Sequence, residues 1–304
     1  MKILFTFPGQ GGQRPGMLAM IPDREAILTQ ARAVLGDEVD TLDSADALQH
    51  TRAVQLCLLI AGVAWARELQ RQGVDPQMVS GLSIGAFPAA VIAGALDFAS
   101  ALRLVALRGD LMEQAYPEGY GLTAIMGLTR PRVEALMQGH EVYLANLNAE
   151  TQFVIAGRDE AMAEVAQLAL RAGASKAQRL AVSVPSHCAL LDKPAAELAK
   201  AFAGASLRRP WCAYLSGSTA RVLWDPQRIA DDLAMNMARP VHWQEAMVAA
   251  MVAADERDAR LAIEMPPGGV LTCLTRQAGW RGETIALERS GLDVARHLAQ
   301  RLSD

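Results

Sequence analysis

Hydrophobic and polar positions follow two rhythms along this chain. Residues 2–7 (KILFTF) make a continuous apolar run of strand length, which stops at a glycine-rich loop, residues 8–16. Residues 53–72 repeat their apolar positions with a helical period, and Gly73 supplies the stop. A short strand-like segment at 77–81 follows Pro76. Beyond Gly85 the small residues of 86–95 suit a tightly packed helix, and a second helix is predicted at 100–115 with Asp97 or Ser100 as its N-cap. A strand, a sharp glycine turn and a helix in succession form an α/β pattern.

The rhythm changes in the middle. A strand at 122–128 precedes a helix at 130–138 capped by Thr129. Strands at 142–146 and 152–155 flank a polar turn, a helix at 160–171 ends on Gly173, and a strand covers 177–182. The order β-α-β-β-α-β is that of a ferredoxin-like unit. The pattern therefore predicts a small domain at 120–184, inserted into a large α/β domain made of 1–119 and 185–304. After the insert come a helix at 190–203, a strand at 212–215 and helices at 226–237 and 241–253 divided by Arg239-Pro240. A strand at 261–264 runs into the loop 265–269, and a helix, a strand at 284–287 and a terminal helix from Asp293 finish the chain. No internal repeat interrupts this order.

The length of 304 residues fits roughly two domains of about 150 residues each. Apolar residues at 51% and charged residues at 20% are a globular balance and argue against disorder. A net charge of −4 speaks against nucleic-acid binding, which wants a basic stripe. Four cysteines without a CxxC pair indicate neither a zinc site nor a disulfide framework, and free thiols fit a reducing cytosol. The apolar opening meets Pro8-Gly9 too soon for a secretory leader, and the longest apolar stretch, 56–66, is well short of the roughly 20 residues that span a bilayer. The expectation is a soluble cytoplasmic protein with no membrane or nucleic-acid partner.

The sharpest chemical signal is Gly81-Leu-Ser-Ile-Gly85, a GxSxG between a predicted strand and a predicted helix. Two glycines let the chain turn tightly enough to expose Ser83, with the Ile84 N–H at a helix start where it can stabilise an oxyanion. The alternative is a tight βα turn that buries a serine. A serine nucleophile needs a base, and the chain has five histidines. His50, His140 and His297 lie in polar surroundings, and His242 starts a helix as a core or capping residue. His187, in the Ser183-Val-Pro-Ser-His-Cys188 loop after a strand, is the favoured base. Positions 101, 104, 105, 108 and 112 share a helix face, which sets Arg108 in an apolar stripe of Ala101, Leu104, Val105 and Met112. Such an arginine either completes a structural ion pair or awaits an anion such as a substrate carboxylate. Gln10, among glycines, either completes an oxyanion hole or orders a turn. Its loop lacks the Lys-Ser/Thr ending of a phosphate-binding Walker motif, and no metal-ligand cluster stands out.

Together these pieces resemble the malonyl-CoA:acyl carrier protein transacylases over nearly the whole chain. The landmarks are Phe7-Pro-Gly-Gln-Gly11, Gly81-Leu-Ser-Ile-Gly85, Gly94-Ala-Leu-Asp-Phe98, Leu107-Arg-Gly109, Pro117-Glu-Gly119, Val154-Ile-Ala-Gly157, Val184-Pro-Ser-His-Cys188, Arg239-Pro-Val-His-Trp243 and the loop Pro267-Gly-Gly-Val-Leu271. The resemblance implies an α/β-hydrolase-like large domain with a central mostly parallel sheet and a ferredoxin-like insert. It implies Ser83 as nucleophile, His187 as base, the backbone N–H groups of Ile84 and Gln10 as oxyanion donors, and Arg108 as the clamp for the malonyl carboxylate. Asn236 would orient the histidine through its backbone carbonyl, leaving no acidic third member. No metal or redox cofactor is implied; malonyl-CoA is the donor, and the acceptor is the thiol of a carrier protein's prosthetic arm. Three positions depart from the common pattern: Leu82 where fatty-acid-synthesis members usually have histidine, Asn236 for glutamine, and the loop Met265-Pro-Pro-Gly-Gly269. The Gly-Leu-Ser-Ile-Gly-Ala-Phe elbow looks most like the epsilon (transacylase) subunit of malonate decarboxylase, which implies a dedicated carrier subunit bearing a dephospho-CoA-type arm. The alternatives are a malonyl transacylase of fatty acid or polyketide synthesis, a serine thioesterase or esterase, and a non-catalytic docking subunit.

Overall fold

A computed structural model describes residues 2–116, 118–253 and 260–302. Met1 of the opening run and Pro117 of the Pro117-Glu-Gly119 motif lie outside the described residues. The first part of the chain runs β1 (Lys2–Phe7), α1 (Arg24–Leu35), α2 (Thr51–Arg71), β2 (Met78–Gly81), α3 (Ala86–Ile92) and α4 (Phe98–Ala115). The middle part runs β3 (Tyr120–Met126), α5 (Arg130–Met137), β4 (Val142–Ala149), β5 (Gln152–Arg158), α6 (Asp159–Arg171) and β6 (Lys176–Arg179). The last part begins with α7 (Asp192–Ala201), β7 (Ala213–Leu215), β8 (Val222–Leu223), α8 (Pro226–Met235) and α9 (Trp243–Val252). It ends with β9 (Arg260–Glu264), α10 (Val270–Gln277), β10 (Glu283–Ala286) and α11 (Leu287–Arg301).

Six strands form the central sheet in the order β10-β9-β1-β2-β7-β8, parallel except where β8 turns back along β7. The side chains of β1 are buried from Ile3 to Phe7, as a strand covered on both faces demands. Since β1 and β2 are neighbours in parallel, the glycine-rich loop after β1 and the elbow after β2 emerge side by side at the carboxyl end of the sheet, where open α/β sheets place their ligands.

A second, four-stranded antiparallel sheet has the order β4-β5-β3-β6 and packs α5 and α6 over its own core of Ile125, Val133, Phe153, Ile155, Met162 and Val165. It is tied to the central unit by two backbone bonds, Leu147 N–H to Val241 O (2.7 Å) and Val241 N–H to Ala145 O (2.8 Å). Among the described residues no helix is long and apolar enough to cross a membrane.

Several elements differ from the sequence expectation. Helix α1 has no counterpart there, because it buries only Ile27, Leu28 and Ala31, too short a stripe to stand out from the polar residues around it. The terminal helix begins at Leu287 rather than Asp293, broken by Gly291 at φ 78°, so the expectation matched only the part past the kink. The strand expected at 177–182 ends at Arg179, and the helix expected from 241 starts at Trp243, because the Val241 backbone is spent on the second sheet. Of the two caps proposed for α4, Asp97 is the one used, accepting the Ser100 N–H at 2.8 Å.

Candidate active site

The elbow is built as its glycines require. A Cβ on Gly81 would lie 2.0 Å from the Gly85 carbonyl, and one on Gly85 would lie 2.1 Å from the Phe7 carbonyl oxygen, so neither position accepts another residue without moving backbone. Between them Ser83 sits at φ 58°, a left-handed conformation uncommon for a side-chain-bearing residue and held here by the packed turn on either side. Gly9, in the loop after β1, lies against Leu82 and Ser83. Ile84 is buried inside the elbow itself, next to Ser83, and Gln10 follows Gly9 in the loop that lies against it.

Arg108 arrives from α4, with no exposed surface. Gly109 allows that approach: a Cβ there would lie 2.4 Å from the Arg52 Cα on α2. One turn along α2 from Arg52, Gln55 accepts a hydrogen bond from Arg108 Nη1 at 2.7 Å. Arg108 Nη2 donates to Asn236 Oδ1 at 3.0 Å and to Ser83 Oγ at 3.1 Å. Among the described residues no carboxylate pairs with Arg108, and its Nε finds no partner. Burial pulls the guanidinium down to about 9, which leaves it charged at neutral pH. An uncompensated buried cation costs several kcal/mol, and the cost is repaid when an anion binds.

His187, at φ 65° in the segment between β6 and α7, is bonded to the turn after α8. Its N–H donates to the Met237 carbonyl at 2.6 Å, and its ring Nδ1 donates to the carbonyls of Asn236 (2.8 Å) and Arg239 (3.2 Å). A carbonyl can only accept, so Nδ1 carries the proton and Nε2 presents the lone pair. Burial first, and the neighbouring Arg108 charge second, push His187 down to about 4, against the pull of the two carbonyls. The ring is thus a neutral base throughout the physiological range. Among the described residues no hydrogen bond joins it to Ser83.

A pH profile follows from that shift. The rate of a reaction that uses this lone pair beside a charged Arg108 is expected to be flat between about pH 5 and pH 8, to fall as pH drops through about 4, where the imidazole gains its proton and loses its lone pair, and to fall again as pH rises through about 9, where the guanidinium loses its charge. Stopped-flow kcat/KM against pH checks this, and a midpoint at the ordinary 6.5 would contradict it. The same depression removes stability as pH falls from about 6.5 towards 4, because the unfolded chain takes up the proton first.

The structure thus gathers Ser83, His187, Arg108 and Asn236 at one point, with Gln10 at the edge, where its Oε1 lies 3.5 Å from Gln55 Nε2. His50, His140 and His242 stand elsewhere, beside Glu113, Glu164 and Glu245 respectively, and His297 is exposed on α11. Gln55 is the member that sequence reasoning missed. Its signal was the one that marks Arg108: a single polar side chain within an apolar helical run, 53–61. Asn236 does more than expected, since its Nδ2 also donates to the Ser83 carbonyl at 3.3 Å. Cys188, next to His187, is held as a neutral thiol, because burial pushes it up to about 11.

The acyl transferase domain family matches residues 4–289. A malonyl CoA-acyl carrier protein transacylase of Escherichia coli (strain K12) is 37% identical over 289 residues, covering 91% of this chain and 92% of its own length. Among solved structures, the malonyl CoA-acyl carrier protein transacylase of Coxiella burnetii superposes with a TM-score of 0.90 at 31% identity, over 100% of this chain and 98% of that one. A malonyl-transacylase solved in complex with its holo acyl carrier protein from a type II polyketide synthase gives a TM-score of 0.89 at 33% identity, over 99% of this chain and 100% of that one.

Proposed function

The chain belongs to the acyl transferase domain family and is an acyltransferase of the malonyl-CoA:acyl carrier protein transacylase type, and from that premise we propose that it moves malonyl groups from coenzyme A to a carrier-protein thiol through a malonyl-serine intermediate. The observation that carries this reading is the buried Arg108, charged, without a carboxylate partner among the described residues, and hydrogen-bonded to the elbow serine. An esterase for neutral acyl groups has no use for such a cation; a malonyl group brings the missing carboxylate to the atom that must attack its thioester.

In the first half-reaction Ser83 Oγ attacks the thioester carbonyl and passes its proton to His187 Nε2. The oxyanion is held by the N–H groups of Ile84 and Gln10, each worth about 3 kcal/mol in comparable sites. The tetrahedral intermediate expels coenzyme A, whose sulfur takes the proton from His187. In the second half-reaction the carrier thiol gives its proton to His187 and attacks the malonyl ester, and Ser83 leaves with that proton. The Asn236 carbonyl holds the imidazole in the right tautomer throughout, in place of an acid. No step calls for a metal or redox cofactor. We read the second sheet, at 120–184, as the ferredoxin-like insert of a large unit made of 1–119 and 185–304. We take the cytoplasm as the compartment, a reading supported by Cys57, Cys188, Cys212 and Cys273 as free thiols.

As acceptor we favour an acyl carrier protein of fatty acid or polyketide synthesis, on the strength of the relatives above. The elbow sequence Gly81-Leu-Ser-Ile-Gly-Ala-Phe87 supports a second reading, in which the acceptor is the malonate decarboxylase carrier with its dephospho-CoA-type arm. Intact-protein mass after brief exposure to malonyl-CoA is expected to show one malonyl adduct, and none with acetyl-CoA. Discharge of that adduct by a 4′-phosphopantetheine carrier supports the first acceptor; discharge only by the dephospho-CoA-type carrier supports the second. Loss of the adduct to water with neither carrier makes the protein a thioesterase, and no adduct with no coenzyme A released makes it a docking subunit.

A further inference from the structure

A guanidinium has five N–H donors, and three of those on Arg108 are engaged: one on Nη1 with Gln55, and both on Nη2, with Asn236 and Ser83. A carboxylate grips a guanidinium with two parallel N–H groups, either from Nη1 and Nη2 or from Nε and Nη2. Both edges include Nη2. The resting site therefore offers no open edge, although Nε is buried without a partner. An incoming carboxylate must displace one of the two groups on Nη2.

Asn236 is the harder of the two to move. It is buried, its Nδ2 is bonded to the Ser83 carbonyl, and its own carbonyl holds His187. The Ser83 hydroxyl needs only to turn about its Cα–Cβ bond. While it stays on Arg108, one oxygen lone pair is engaged by a cation and the group has no hydrogen bond to its base.

We propose that the malonyl carboxylate takes Arg108 Nη2 away from Ser83 Oγ and thereby releases the hydroxyl to His187 Nε2, so that the charge on the acyl group arms the nucleophile. The proposal rests on the malonyl transacylase reading and deepens it. Arg108 then selects at the acylation step as well as at binding: an acetyl group leaves the serine parked on the arginine.

Acetyl-CoA and formate together carry the two halves of a malonyl thioester. Formate, against formamide as neutral control and chloride at matched ionic strength, is expected to speed acetylation of Ser83 by about tenfold or more, the worth of one hydrogen bond to a charged group. Neutralising Arg108 would by itself favour a neutral acyl group, so a second readout isolates the serine. The nitrogen NMR resonance of His187 Nε2 is expected to move when formate is added to the wild type, and to stay in Ser83→Ala, because only the released hydroxyl donates to it. No acceleration by formate, or an Nε2 response that is the same with and without Ser83, overturns the proposal. Malonylation by malonyl-CoA in the same series keeps the two failures apart. A malonyl adduct without a formate effect removes the gate and leaves the transacylase, whereas no malonyl adduct removes both.

Discussion

Replacing Ser83 by alanine is expected to abolish the malonyl adduct and to lower malonyl transfer by about 10⁴-fold or more, the scale on which enzymes with a serine nucleophile lose rate when it is deleted. What survives is the binding and oxyanion stabilisation that the rest of the site supplies. The fold should tolerate the change. Alanine keeps the Cβ, is no more strained than serine at φ 58°, and leaves Arg108 bonded to Gln55 and Asn236. Intact mass and coenzyme A release measure the chemistry, and the thermal midpoint, expected within a few degrees of the wild type, measures the fold. An adduct that persisted in Ser83→Ala would move the nucleophile elsewhere. Cys188 is the nearest thiol to His187, but it stays protonated at neutral pH and its Sγ donates to the Pro185 carbonyl.

The parts of this arrangement that could be read in the sequence are those written in local pattern. The β1 run, the GxSxG and the apolar face around Arg108 each show within one element, and each stands where expected. Gln55 and Arg108 obey one rule, an isolated polar group on an apolar face, but only Arg108 drew attention, because a buried charge is rarer than a buried amide. What depends on tertiary contact was out of reach. The bonds of the Asn236 side chain to Arg108 and to the Ser83 carbonyl join α4, the elbow and the turn after α8, positions far apart in the chain that no periodicity links. The left-handed backbone at His187 has no glycine to announce it. The break in α11 did have one, at Gly291, yet a glycine inside a helical pattern reads equally as a tolerated residue or as a stop.

Replacing Arg108 by alanine is expected to lower kcat/KM for malonyl-CoA by about 10³-fold, the range set by removing one partner of a buried, charge-assisted pair. The comparison with acetyl-CoA decides what that loss means. In the wild type an acetyl group leaves the fully buried Arg108 uncompensated, a penalty that binding of the rest of coenzyme A does not offset. Once the arginine is gone the penalty disappears, and acetyl transfer should hold or rise while malonyl transfer falls, so that the preference collapses or inverts. Alanine also opens a cavity and strands the acceptor oxygens of Gln55 and Asn236, so a general loss of activity would be ambiguous by itself. Arg108→Gln fills much of that volume with a neutral donor, and it should give the same inversion with less loss of stability. Arg108→Lys keeps the charge but offers no planar edge, so it is expected to recover only part of the malonyl rate. Acylation rates with the two thioesters, measured for all three variants, separate charge from shape: undiminished malonyl preference in Arg108→Gln would take the carboxylate away from this arginine and leave its buried charge to the architecture of the elbow.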